Sequence, residues 1–109
     1  MKQKIALLAI VLGVTSIPVH AEFKDGNKLL AEMRGAAMEQ MVALGYVTGV
    51  ADALNGSSVC PPPNVTAGQM KDMVLQYLEN FPRSRSFTGD TIIHLVLSTA
   101  WPSKKGAGV

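Results

Sequence analysis

The sequence predicts an all-α fold, a small bundle of three to four helices. Three observations predict it. Apolar residues between positions 30 and 54 recur three and four apart, the spacing that gathers them on one helical face. The segment around Thr66 and Gln69 carries a helix-start signature. Proline or Asn-Gly stands where these patterns stop, and no run alternates strictly enough to read as a strand.

The chain of 109 residues opens with Lys2 and Lys4, followed by an apolar run over positions 5–14 and then Val19-His20-Ala21. Small residues at 19 and 21 suit a signal peptidase, so residues 1–21 read as a secretory signal peptide cleaved after Ala21. The apolar run is about half of the ~20 residues that a membrane span needs. No cysteine follows the cleavage site, which argues against lipoprotein processing. Lys2 and Lys4 leave with the leader, and the formal charge of +2 falls to near zero. Nothing in that balance favours nucleic acid or an anionic membrane surface. Residues 22–102 then form a single helical domain, and 103–109 a flexible tail. So small a domain commonly leans on disulfides outside the cytoplasm. This one has only Cys60, so it relies on packing, with a second subunit as the other recourse.

The elements follow in order. Asp25 or Asn27 can cap a first helix by accepting a backbone N–H of its first turn. Leu30, Met33, Ala37, Met41, Leu44, Val47, Ala51 and Leu54 continue at helical spacing, with Gly35 as a point of kink or break. Asn55-Gly56 ends the run, Gly56 being free to take positive φ. Residues 57–64, with Pro61, Pro62 and Pro63, read as a stiff extended connection. Thr66 and Gln69 form a capping box, with Val65 and Met70 placed as a hydrophobic staple. That helix carries Met70, Met73, Val74, Tyr77, Leu78 and Phe81 on one face and stops before Pro82. Residues 83–88 read as a polar, basic loop. Thr88 or Asp90 then caps a last helix through Trp101, ended by Pro102; its β-branched residues make a strand the competing reading.

The stretch 45–54, GYVTGVADAL, places Gly45, Gly49 and Ala53 on one helical stripe. A glycine inside a helix costs roughly 1 kcal/mol relative to alanine. Two are tolerated where something packs closely against the stripe, either another helix or a partner. Packing against another helix of the same domain is the expected arrangement. Asp52 and the polar residues near 34–40 rule out the membrane version of this motif.

The search for chemistry is short. A nucleophilic Cys–His pair would have to join Cys60 to His94, yet Cys60 sits among prolines rather than at a helix N-terminus that would lower its pKa. His94 lies in an apolar helix, where a packed or rim histidine is the ordinary case. No cluster has metal-ligand spacing, no acidic pair suggests acid–base work, and no glycine loop precedes a helix to hold phosphate. Neither a catalytic residue nor a metal or other cofactor is expected. The methionines at 33, 38, 41, 70 and 73 read first as core filler, although methionine at a surface also suits partner binding.

GYVTGVADAL, then Val59-Cys60-Pro61, then VTAGQMKDMVLQYLENFP and finally TIIHLVLSTAWP together resemble the Rap1a/Tai family. The resemblance covers positions 45–102. It implies a small, exported, α-helical immunity protein of the periplasm, often dimeric, with no enzymatic role. Such a protein would neutralise a cognate peptidoglycan amidase toxin delivered by type VI secretion, by plugging its active-site cleft. The family's further cysteines correspond here to Met33, Ala43 and Ser103, so its disulfides cannot form and Cys60 is left unpaired.

Two exposed segments are candidates for the plug. The first is the proline-stiffened loop with Ser57, Ser58, Val59, Pro61, Pro62 and Asn64, where preorganisation lowers the ordering cost of binding. The second holds Arg83 and Arg85, which suit an acidic cleft rim. Both could equally be plain connectors. The alternative function is a periplasmic chaperone-like or general protein-binding module with an exposed methionine-rich face. The even charge balance and lack of a histidine cluster weigh against an acid-switched version.

Overall fold

The computed structural model describes residues 23–103, so the expected signal peptide lies outside the described residues. Among the described residues four α-helices form: α1 (Gly26–Met33), α2 (Ala37–Leu54), α3 (Ala67–Asn80) and α4 (Gly89–Ala100). Among the described residues there is no strand, only isolated backbone bridges. The fold is the expected all-α bundle, and α4 is a helix despite its β-branched residues.

The helix ends follow from local chemistry. Asp25 caps α1, its carboxylate accepting the Lys28 N–H at 2.9 Å. Gly35 marks a true break: α1 ends at Met33 and α2 begins at Ala37. The Glu39 carboxylate turns back to accept the Ala36 N–H at 3.3 Å, and the missing side chain at Gly35 leaves room for it. Thr66 and Gln69 make both bonds of the capping box on α3, at 2.8 and 3.1 Å. Thr88 stands at the N-cap of α4, but its hydroxyl pairs with Thr91 Oγ1 instead of a backbone N–H. The segment after α3 is wound into a 3₁₀ turn, Pro82–Ser86, rather than an open loop.

Helix α2 is central and packs against each of the other three. It contributes Ala43, Val47 and Ala51 to the core. Leu29, Leu30 and Met33 come from α1, Val74 and Leu78 from α3, and Ile92, Ile93 and Leu97 from α4. The close-packing stripe of α2 is therefore Ala43-Val47-Ala51. This corrects the expectation for Gly45, Gly49 and Ala53, which face outward. A Cβ added at Gly45 or Gly49 would meet nothing within 4 Å. Ser103 also departs from the expected tail, since it is only 7% exposed and belongs to the domain.

One vertex joins all four helices. The Gly26 N–H donates to the Phe87 carbonyl at 3.0 Å, and the Gly89 N–H to the Lys24 carbonyl at 2.8 Å, pairing 24–26 with 87–89. A Cβ on Gly26 would lie 2.6 Å from Ile92 Cδ1, 2.8 Å from the Arg85 Cα and 2.9 Å from Leu78. A Cβ on Gly89 would lie 2.9 Å from the ring of Tyr46 of α2. Beside that ring, Lys24 Nζ sits 2.6 Å from Glu32 Oε1 and 4.7 Å from the Tyr46 centroid. Burial, with the nearby Asp90 and Glu32 charges, raises the Tyr46 pKa above its ordinary 10.0, against an opposing hydrogen bond from the Asp90 backbone.

Two predictions come from this vertex, at Gly26 and Tyr46, and one from Gly68, which lies outside it. Gly26→Ala must displace backbone as well as side chains, and is expected to cost about 1–3 kcal/mol in urea unfolding. Gly68→Ala, where the nearest atom is Thr66 Oγ1 at 3.9 Å, is expected to be neutral or stabilising by up to about 1 kcal/mol. Tyr46 holds its proton more tightly folded than unfolded. Its stabilising contribution is whole below the unfolded pKa of 10.0 and is lost as pH rises through the higher folded value. Urea midpoints taken from neutral to strongly alkaline pH should fall more steeply for the wild type than for Tyr46→Phe.

Candidate partner-binding surface

The connection after α2 is built as a rigid projection. The Leu54 carbonyl accepts the N–H groups of Ser57, Ser58 and Val59 at 3.1, 3.1 and 3.2 Å, so the chain folds back at once on the helix end. Gly56 makes this possible at φ +85°, a backbone region that side-chain-bearing residues rarely adopt. Its N–H closes the turn on the Val59 carbonyl at 2.9 Å. Val59 then bridges both Asn55 and Pro102, and the Cys60 N–H donates to the Trp101 carbonyl at 3.0 Å. The loop is thereby anchored to the ends of α2 and α4 together.

Anchoring divides its residues into two sets. Val59 has no exposed surface and is a core residue. It is thus removed from the expected partner contacts: it holds the loop from beneath. Ser58 and Pro61 are half-buried. Ser57, Pro62, Pro63, Asn64 and the Cys60 thiol are exposed. Ser57 spends its hydroxyl locally, donating to the Leu54 carbonyl at 3.0 Å. Pro62 and Asn64 are left as the projecting groups, on a backbone whose φ is restrained by three prolines in a row.

The second candidate segment lies at the other end of the molecule. The loop over 55–66 precedes α3 and the 3₁₀ turn follows it, so a helix of 14 residues, ~20 Å long, separates them. The two therefore do not form one surface. The two arginines also differ. Arg85 is engaged inside the fold, its Nε donating to the Leu78 carbonyl at 2.7 Å and its other nitrogen to the Glu79 carbonyl at 3.4 Å. Its own carbonyl accepts from Asn27 at 3.3 Å. Arg85 thus caps the C-terminus of α3, a role favoured by the negative end of the helix dipole, rather than waiting for a partner. Arg83 is exposed.

Two shallow grooves flank the anchored loop. One, of about 160 Å³, runs between Asp52 of α2 and Met70 of α3, with Pro61 and Val65 in its wall. Val65 and Met70, the expected staple pair, both line it. The other, of about 360 Å³, lies between Asp72 and Met73 of α3 and Trp101. Asp52 is exposed and shares its groove with Pro61, whereas the exposed Asp72 pairs with Lys71 at 3.7 Å. His94 lies elsewhere, in a groove between α2 and α4 that Cys60 does not line. Among the described residues no group of three or more His, Cys, Asp or Glu could hold a metal ion. No helix among them is long and apolar enough to cross a membrane.

The sequence pointed to the loop through its prolines, but not to what fixes it. Val59 reads as one more loop residue until Pro102 and Trp101 are seen beside it. Arg85 likewise reads as a free cation, because its partners are backbone carbonyls that carry no sequence signal.

Against known proteins, no curated protein matches the chain. The family model of the Rap1a immunity proteins matches residues 25–103. That span runs from the Asp25 cap to the buried Ser103, the whole of the helical domain with its anchored loop. The chain belongs to the Rap1a immunity protein family.

Proposed function

We propose that this protein is a periplasmic immunity protein that binds a type VI secreted peptidoglycan amidase and blocks its active-site cleft, with residues 56–64 as the blocking element. Membership of an immunity family supports the role, and the leader-like residues 1–21 support export to the periplasm. The observation that carries the choice of loop is its anchoring. Its backbone is held at Leu54 and at Trp101, and its prolines are already fixed, so little conformational entropy remains to be lost on binding. A plug of this kind acts by occupancy and requires no catalytic group. The carboxylate of Asp52 beside it suits a basic group on the cleft rim.

A second reading has one observation in its favour. Met38 and Met41 are exposed on α2, and a methionine-rich surface adapts to many clients. On that reading the protein is a chaperone-like binding module without a dedicated toxin, and it should suppress aggregation of unrelated proteins.

The test is co-expression in a periplasm with a peptidoglycan amidase encoded beside it. The expected result is a stable complex without cleavage activity. Asn64→Arg and Pro62→Gly are expected to weaken the complex at least tenfold, about 1.4 kcal/mol, without changing the helical circular dichroism. Arg83→Ala, at the far pole, should leave affinity within about threefold. A fully active amidase with no complex would remove the blocking role, and aggregation suppression would then decide for the second reading.

A further inference from the structure

Among the described residues, every carboxylate but one has a partner or a favourable place. Asp25 caps α1, and Glu39 closes the turn at Ala36. Glu32, Glu79 and Asp72 stand in ion pairs with Lys24, Arg34 and Lys71. Asp90 lies in the first turn of α4, at the positive end of the helix dipole. Asp52 has neither. It stands in the last turn of α2, which holds no basic residue, so its charge meets the negative end of the dipole. It is exposed, and its carboxylate takes part in no ion pair or hydrogen bond of the described chain. A local choice that opposes the fold, with no compensation inside it, is expected at functional sites.

The surroundings of Asp52 define what compensates it. Thr48, Asp52 and Asn55 are spaced four and three apart, so they share one side of α2 as it ends. All three border the groove of about 160 Å³ beside the proline loop, whose other wall is apolar, with Pro61, Val65 and Met70. No basic residue lines it. The polar side offers oxygens: the Asp52 carboxylate, the Asn55 amide oxygen and the Thr48 hydroxyl, whose own hydrogen goes to the Leu44 carbonyl at 2.7 Å. A group that fits brings a positive charge and several N–H donors on an aliphatic stem. Arginine has this form. Its planar fork engages a carboxylate by one edge and keeps N–H groups for a neighbouring oxygen, while its stem packs on apolar walls. An ammonium meets the carboxylate only as a point charge. The size agrees with one side chain, being well below the ~300–1,000 Å³ of small-molecule sites.

We propose that this groove is a socket for an arginine side chain of the partner, its guanidinium on Asp52 and its stem against Pro61, Val65 and Met70. Pro61 belongs both to the groove and to the loop 56–64, so a partner seated on the loop lies beside the socket. That the partner is the amidase rests on the proposed blocking function; the chemistry of the socket does not. The charge of Asp52 lowers the stability of the free protein and is matched only when the arginine arrives. Asp52 thereby determines specificity, because a partner with a neutral or acidic group at that place leaves the carboxylate unpaired.

The protein purified from the periplasm tests the socket without any toxin. On titration with the peptide acetyl-Gly-Arg-Gly-amide, the nuclear magnetic resonance signals of Asp52, Asn55 and the Met70 methyl should shift and saturate in the millimolar range. Those of Gln76 on α3 should stay fixed. The same peptide with citrulline, which keeps the shape of arginine without its charge, should bind at least tenfold more weakly, and the lysine peptide severalfold more weakly. Asp52→Asn should abolish the response. It should also raise the melting temperature of the free protein by roughly 1–5 °C, since it removes the charge opposed to the dipole. Where an amidase complex forms, Asp52→Asn should weaken it at least tenfold. Shifts that never saturate, an equal response to the citrulline or lysine peptide, a lower melting temperature for Asp52→Asn, or an amidase complex indifferent to that substitution would each overturn the socket. If the arginine peptide binds and no amidase complex forms, the blocking role fails and the socket stands.

Discussion

The close approach of backbone at Gly26 is the constraint on which the rest of the structure depends. Within one small volume α1 begins, α3 is capped by Arg85, α4 begins at Gly89 and Tyr46 of α2 lays its ring across the junction. Two glycines make this possible, each because a neighbouring element occupies the place of its side chain. The two hydrogen bonds between 24–26 and 87–89 join segments more than sixty positions apart in sequence. They fix the angle at which the first and last helices leave the vertex, and that angle determines how Leu29 and Leu30 meet Ile92 and Ile93 in the core.

The opposite pole is organised on the same principle with different chemistry. There Val59, rather than a glycine, is the point of closest contact. It is buried, bridged to Asn55 and Pro102, and followed by the bond from Cys60 to Trp101. Each pole is thus clamped by backbone pairing between a connection and an end of α4. The pole with the proline loop keeps Pro62 and Asn64 exposed, Pro62 joining the turn through its carbonyl, which accepts the Val65 N–H at 3.3 Å. The arginine-bearing pole uses Arg85 for its own construction. This difference leaves the first pole with exposed groups and makes the second mainly a joint.

Much of the fold was legible because helix ends carry their chemistry locally. Asp25, Gly35, Gly56, Thr66 with Gln69, and Pro82 each act on backbone groups within a few residues, and each marked a real boundary. Which face of α2 turns inward was legible only in part: Val47 and Ala51 of the stripe read at helical spacing are in the core, while Met41 of the same stripe is exposed. Periodicity selects a face only when the other face is polar, and α2 is apolar on both. The glycines drew attention as a packing stripe, while the true stripe was the less conspicuous Ala43-Val47-Ala51. The same limit hid Val59, Arg85 and Ser103, whose roles depend on residues distant in sequence.

The absence of disulfides sharpens the importance of that core. Met33 and Ala43 are buried and belong to the hydrophobic cluster, and Ser103 is buried as well. A cross-link would stabilise mainly by restricting the unfolded chain, whereas Met33 and Ala43 contribute by removing apolar surface from water in the folded one. With a single cysteine, the domain rests on packing, which is short-ranged and intolerant of displaced neighbours. In a domain of four short helices that leaves little reserve. The backbone clamps at the two poles hold the helix ends at the spacing the core needs, and they do so without a covalent bond.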